Sequence, residues 1–74
     1  MPAADDHLDQ LAANLRAALA AAGVSQRRLS IATGVDLSHI NRIMMGRTDP
    51  SMRILVRLAR GLRTTASELL RGIE

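Results

Sequence analysis

The stretch QRRLSIATGVDLSHINRI, residues 26–43, decides how this chain folds. It places Gly34 between two segments whose apolar residues recur at helical intervals. Because a glycine permits a sharp bend, this pattern predicts two short helices that cross steeply through a turn of three or four residues. The apolar positions expected to hold the two helices together are Leu29, Val35, Ile40 and Ile43. The opposite face of the second helix is then left free.

Glycines divide the rest of the chain into further helical segments. Each glycine is expected to lie just after the end of a helix and to adopt the left-handed conformation there, which glycine does easily. They are Gly23, Gly34, Gly46, Gly61 and Gly72. Strands are not expected, because no five-residue stretch alternates β-branched residues. The sequence therefore predicts an all-α domain of five short helices.

Capping residues set the expected bounds of the two central helices. Ser25 is expected to cap a second helix over Gln26–Thr33, which directs Leu29 and Ala32 inward. Asp36 is expected to cap a third helix over residues 37–45.

The outer helices have weaker but similar signals. Asp49, Pro50 and Ser51 predict the start of a fourth helix that runs to residue 60. Thr65 and Glu68 have the spacing of a capping box, which would open a fifth. The first helix has acidic residues in its first turn and one apolar stripe, made of Leu8, Leu11, Leu15, Leu19 and Ala22.

Composition bounds the class of protein. The chain has 74 residues, 47% of them hydrophobic, and a net charge of +3, which fits one folded domain over residues 1–74 with a short tail at 1–5. It contains no cysteine and no aromatic residue, which excludes thiolate metal sites and base stacking on aromatic side chains. The longest apolar run, residues 17–22, is too short to cross a membrane. We expect a cytoplasmic protein.

The charges are distributed unevenly along the chain. All ten basic residues are arginine, and residues 25–74 carry a net charge of +5, against −2 for residues 1–24. A directed excess of this kind favours a polyanionic partner, most simply duplex DNA. A solvated arginine surface is the alternative, and charge alone does not separate the two.

The third helix is expected to have one free polar face. At 100° per residue, Ile40, Ile43 and Met44 point towards the core. Leu37 and His39 lie on the two rims, and the free face carries Ser38, Asn41, Arg42 and Met45. Arginine pairs with guanine and asparagine with adenine in a major groove that admits one helix. This face is therefore suited to reading base edges.

The motif order of the whole chain resembles the Cro and lambda-repressor-like helix-turn-helix proteins, the XRE family. The resemblance extends over residues 11–70 and rests on Ser25-Gln26, Leu29, Gly34-Val35, Ile40, Ile43, Gly46-Arg47, Pro50-Ser51, Leu55, Leu58-Ala59, Leu62 and Glu68-Leu69-Leu70. It implies a five-helix lambda-repressor-like domain that binds duplex DNA as a transcriptional regulator, usually as a homodimer. The sequence departs from the family at Ser30, where alanine is usual, and at Met44, where glutamate is common.

Candidate contact residues follow from the free face and from the resemblance. Base contacts are expected from Leu37, Ser38, Asn41 and Arg42. Phosphate contacts are expected from Ser25, Gln26, Arg27, His39, Arg47 and Thr48. An apolar tail that one short helix could hardly bury is the candidate dimer interface: Leu69, Leu70 and Ile73.

Other functions are weighed against a repressor that reads a two-fold symmetric operator. We expect no enzyme, cofactor, metal site or small-molecule ligand, because no catalytic or ligating pattern is present and the domain is too small to enclose a pocket. The main alternative is an antitoxin or another module of this fold that binds a protein partner. The chain could also be the DNA-binding domain of a longer regulator. Arg53, Arg57 and Arg60 form a stripe that is read as a solvated face, with Arg53 able to reach the DNA backbone.

Overall fold

The computed structural model describes residues 6–74, and the described part of the chain is helical with no strand. Its five helices are α1 (Asp6–Ala22), α2 (Gln26–Thr33), α3 (Leu37–Met44), α4 (Met52–Gly61) and α5 (Ala66–Leu69). This is the all-α, five-helix lambda-repressor-like fold that the sequence predicts. The expected tail, residues 1–5, lies outside the described residues. Within the described range, no helix is long and apolar enough to span a membrane.

Hydroxyl caps begin three of the helices as predicted. The side-chain oxygens of Ser25, Ser51 and Thr65 each accept a hydrogen bond from the backbone N–H three residues later, at 3.1 Å. Each cap satisfies an amide that has no partner inside its helix. The capping box of α5 is only half formed, because the Glu68 carboxylate pairs with Arg71 at 2.8 Å instead of returning to the Thr65 amide.

Gly61 does not have the role that the sequence predicts for it. Gly23, Gly34, Gly46 and Gly72 do adopt a positive φ. Gly61 instead lies within α4, where an added Cβ would come within 2.5 Å of Thr33 Cγ2 and 2.8 Å of Leu29 Cδ1. Here glycine allows α4 to pack closely against α2, a tertiary requirement that spacing along the chain does not reveal.

The left-handed residue after α4 is Arg63, with a φ of 58°. Its amide donates to the Arg60 carbonyl at 3.1 Å, and the Thr64 amide donates to the Ala59 carbonyl at 2.9 Å. These two bonds form a Schellman motif, in which glycine usually occupies the position of Arg63. The helix therefore ends one residue later than predicted.

The core lies between the helices, with α1 against α3 and α5, and α2 against α3 and α4. Its buried cluster is Leu11, Leu15, Leu29, Val35, Ile40, Ile43, Met44, Leu55, Leu58, Ala59, Leu62 and Leu69. The predicted stripe of α1 is buried at its centre, whereas Leu8 and Leu19 are half-buried and Ala22 is exposed. The prediction that Ala32 faces inward is wrong, because the inner side of α2 is occupied by Leu29 and Ala32 is exposed.

The C-terminal segment corrects the expected dimer interface. Leu69 is only 1% exposed, so it belongs to the core of the single chain and is not available to a second copy. The short helix α5 buries it because both α1 and α4 pack against that helix. The Asn14 side-chain amide of α1 also donates to the carbonyls of Leu69 and Arg71, both at 2.8 Å. Leu70 and Ile73 are half-buried against the core, and their part in a dimer stays a prediction.

Candidate nucleic-acid interface

The turn between α2 and α3 is held by side-chain hydroxyls. Ser30 Oγ donates to the Val35 carbonyl at 2.6 Å. Thr33 Oγ1 donates to the Leu29 carbonyl at 2.7 Å and accepts from the Val35 amide at 3.2 Å. Two of these hydrogen bonds join the end of α2 to the turn before α3 and satisfy both backbone polar groups of Val35. The serine that departs from the usual alanine at position 30 bonds forward into the turn, not back along its own helix.

The two faces of α3 are divided as the helical periodicity predicts. Ile40, Ile43 and Met44 are fully buried. Leu37, which was expected on a rim, is exposed, while His39 on the other rim is half-buried. The exposed face carries Ser38, Asn41, Arg42 and Met45. A helix that is buried on one side and polar on the other can enter a groove without losing its packing.

An open cleft brings several of the predicted contact residues together. It is lined by Gln26, Asp36, Leu37, Ser38 and Asn41. The Asn41 side-chain amide donates to Gln26 Oε1 at 3.4 Å, so the start of α2 and the middle of α3 are joined at this surface. Ser25 and Arg27, also predicted contacts, are exposed at the start of α2 but do not line the cleft.

Arg42 lies beside His39 on α3. Its Nη2 is 3.4 Å from His39 Nδ1. Because a guanidinium only donates, a hydrogen bond between these two atoms has the ring nitrogen as its acceptor. The contact directs the Arg42 side chain towards the start of the helix and leaves its remaining N–H groups free to donate.

Asp36 is the N-cap residue of α3, as predicted, but its side chain does not make the expected capping bond. Its carboxylate makes no capping hydrogen bond and instead accepts one from the Ser38 hydroxyl. This hydrogen bond, helped by the nearby amides of His39 and Ser38 and by the charge of Arg42, lowers the pKa of Asp36. Burial acts in the opposite sense but does not prevail. The exposed surface of α3 therefore includes a negative charge at its first turn.

Arg47 and Thr48 follow the other end of α3. The Arg47 amide donates to the Arg42 carbonyl at 2.9 Å, and this bond closes the helix at Gly46. The Arg47 side chain is exposed and Thr48 is half-buried. His7 Nε2 lies 3.2 Å from Asp49 Oδ1, which ties the loop to α1. The structure thus keeps these two predicted contacts on a fixed loop, separate from the cleft.

The sequence does not predict that Arg16 of α1 stabilises the C-terminal end of α3. Its Nη1 donates to the Met44 carbonyl at 2.6 Å, at the end of the helix where carbonyls have no partner inside the helix. Met44 itself is 2% exposed, so the residue that replaces the common glutamate is a core residue and not part of the exposed face. Arg16 is the only basic residue in the acidic first 24 residues, and that isolation was the available signal.

The groups on this surface are suited to hydrogen bonding and to charge interactions. Across residues 6–74, no group of three or more histidine and carboxylate side chains is arranged to hold a metal ion. The surface instead combines guanidinium, amide and hydroxyl groups on a rigid helix with basic side chains at its margins. Such groups bind phosphate oxygens and base edges.

Comparison with known proteins agrees with this geometry. A family model described as a helix-turn-helix domain matches residues 10–71. No curated protein and no solved structure gives a significant match to the chain. The matched region includes both helices of the motif and the three helices packed around them. The chain belongs to the helix-turn-helix domain family.

Proposed function

We propose that the protein is a sequence-specific transcriptional regulator of duplex DNA, of the Cro and lambda-repressor-like kind, and that it acts in the cytoplasm as a repressor. Its helix α3 enters the major groove. The observation that carries the proposal is the division of α3 into a fully buried apolar face and an exposed face with Ser38, Asn41 and Arg42. It is a binding protein and not an enzyme.

Base contacts come from the exposed face. Arg42 pairs with guanine through two of its N–H groups, and Asn41 pairs with adenine through its amide. Leu37 offers an apolar contact for a thymine methyl group, and Ser38 supplies a hydroxyl. The hydrogen bond from Asn41 to Gln26 uses one of the two amide protons, so the second remains for the base.

Phosphate contacts surround this face. The start of α2 offers Ser25, Gln26 and Arg27 together with backbone amides that favour an anion. Arg47 and Thr48 contact the backbone from the loop after α3, and His39 does so from its rim. These groups fix the position of the helix and supply affinity that does not depend on sequence.

The regulator binds as a homodimer. One helix makes three or four base contacts, which is too few to define a unique site in a genome. Two copies reading half-sites about 34 Å apart give a two-fold symmetric operator. Leu70 and Ile73 are the candidate contacts between copies. Sedimentation should show a dimer on the duplex. A protein that is monomeric at high micromolar concentration, both free and bound to DNA, would contradict the dimer.

Selection of bound sites from random duplexes tests the proposal. The wild-type protein should return a symmetric site, and a dimer that neutralises six to ten phosphates should bind it with a log–log salt slope of about −5 to −9. Arg42→Ala should lose the preference at one base position of each half-site. Arg57→Ala is the matched control, because Arg57 is equally exposed but lies on α4. No preference among duplexes, or equal loss in both variants, would refute the proposal.

A second candidate function, a module of this fold that binds a protein partner, is favoured by two apolar side chains. Ile31 is 78% exposed and Met52 is 65% exposed. Replacing Ile31 with glutamate should leave binding to the selected duplex unchanged if DNA is the partner of α3. The protein-binding module would be favoured instead if the wild type does not bind DNA and a protein partner that co-purifies with the wild type is lost from the Ile31→Glu variant.

A further inference from the structure

Asp36 is the one described acidic side chain among the cleft residues on the exposed side of the helix-turn-helix motif. Its side chain is exposed and makes no capping bond to α3. A carboxylate near phosphates is repelled by them, and no capping hydrogen bond to α3 offsets this repulsion. Its one side-chain partner by hydrogen-bond geometry is the Ser38 hydroxyl, which lies on the same cleft.

The hydrogen bond to Asp36 changes what Ser38 can offer to DNA. A serine hydroxyl has one proton and two lone pairs. Since that proton is donated to Asp36, Ser38 Oγ presents only lone pairs to a base. An ionised carboxylate is also only an acceptor, and the lowered pKa of Asp36 keeps it ionised. Together, the two side chains form a surface that accepts hydrogen bonds and cannot donate them.

The bases differ in how they meet such a surface. In the major groove, cytosine presents the amino group N4, which is a donor. Guanine presents two acceptors, N7 and O6, and thymine presents the acceptor O4. Adenine presents a donor beside the acceptor N7. Cytosine is therefore the base that an acceptor-only pair binds best, and guanine is the base that it repels most.

We propose that Asp36 is a specificity-determining residue which, together with Ser38, selects a cytosine in each half-site and rejects guanine there. The inference rests on the proposed function, in which α3 enters the major groove. Arg42 complements it on the same helix, because its guanidinium only donates and selects guanine. Asp36 precedes the first turn of α3 and Arg42 lies in its last turn, about 9 Å of helix rise away. The cytosine and the guanine read by Arg42 should therefore belong to different base pairs of one half-site.

Removing the charge of Asp36 has two opposite consequences. Asp36→Asn removes repulsion from phosphates, so affinity for duplexes without the selected cytosine should rise. The new amide both donates and accepts, which suits adenine better than cytosine. At one position of the half-site, the variant should therefore lose at least about fivefold of the preference for cytosine and gain preference for adenine. A residue that only stabilised the helix would instead weaken binding to all sequences when replaced.

The experiment measures binding of the selected duplex and of all its single-base variants. It compares the wild type with Asp36→Asn, Ser38→Ala and the double variant. Glu74→Gln is the matched control, because it changes the net charge equally but lies in a groove beside α1. Ser38→Ala should weaken discrimination at the same position as Asp36→Asn, and the double variant should lose little more than Asp36→Asn alone. Glu74→Gln should keep the wild-type ranking of bases.

The outcomes separate this inference from the function on which it rests. If the wild type shows no preference among duplexes, both are refuted. If the wild type discriminates and Asp36→Asn keeps the same ranking at every position, only the role of Asp36 is refuted. Equal changes of base preference in Asp36→Asn and Glu74→Gln would also overturn the role of Asp36, because net charge alone would then explain the effect.

Discussion

Gly61→Ala should destabilise the protein although alanine is the better helix former. An added Cβ would lie 2.5 Å from Thr33 Cγ2 and 2.8 Å from Leu29 Cδ1, so these two side chains or the helices that carry them would have to shift. Overpacking of this kind costs about 1–3 kcal/mol. The preference of a helix interior for alanine over glycine returns only about 0.5–1 kcal/mol. The free energy of unfolding should fall by about 1–2 kcal/mol, which for a domain of this size lowers Tm by about 5–15 °C.

Thermal and urea denaturation of Gly61→Ala measure this effect, and Thr33→Ser provides the control. Serine removes the crowding methyl group but keeps the hydroxyl that bonds the Leu29 carbonyl and the Val35 amide. The double variant should recover part of the stability lost in Gly61→Ala. An unchanged or higher Tm for Gly61→Ala would show that helix propensity outweighs packing, and would refute the close approach of α2 and α4.

Three further predictions concern the site and the helix ends. Arg42→Ala should cost about 1–3 kcal/mol of binding free energy per half-site and relax the preference at one base position, whereas Arg47→Ala should weaken binding to all sequences equally and reduce the salt slope by about one. Binding titrations on single-base variants at several salt concentrations measure both effects, and the reverse pattern would show that α3 does not read the bases. Arg63→Gly should raise the free energy of unfolding by about 1 kcal/mol, because the φ of 58° at Arg63 suits glycine better than arginine. A lower free energy of unfolding for this variant, measured by urea denaturation, would contradict backbone strain at Arg63. The Ser38 hydrogen bond lowers the pKa of Asp36, so the stabilisation that the ionised carboxylate provides is present above the unfolded value of 3.8 and is lost as pH falls through the lower folded value. The stability difference between wild type and Asp36→Asn should therefore shrink as pH is lowered below 3.8, and a difference that stays constant would count against this hydrogen bond.

The sequence predicts the helix-turn-helix motif well because its signals are local. Ser25 caps α2 and Gly34 ends it in the left-handed conformation, so the bounds Gln26–Thr33 are confirmed. The faces of α3 follow from periodicity, since a helix of eight residues has one core-facing side. Both features depend on residues a few positions apart along the chain.

Two of the failures involve contacts between distant residues, whereas the one at Asp36 is local. Gly61 is required by α2, which lies far from it in the sequence, and only the folded structure shows the two helices in contact. The short length of α5 predicts that Leu69 is free for a dimer, yet α1 and α4 pack against this helix and bury it. Asp36 has the sequence position of a cap, but the Ser38 hydroxyl two residues later takes its carboxylate. Which of two local hydrogen bonds forms is decided by side-chain geometry that the sequence does not specify.

Mapping of backbone and side-chain amide NMR shifts during titration with the selected duplex tests the central claim most directly. The claim is that the exposed face of α3 reads DNA. The account predicts the largest shifts at Ser38, Asn41 and Arg42, with smaller ones at the start of α2 and at Arg47. Residues of α5 should change least. Saturable binding with its largest shifts on α4 or α5, and none on α3, would contradict the account.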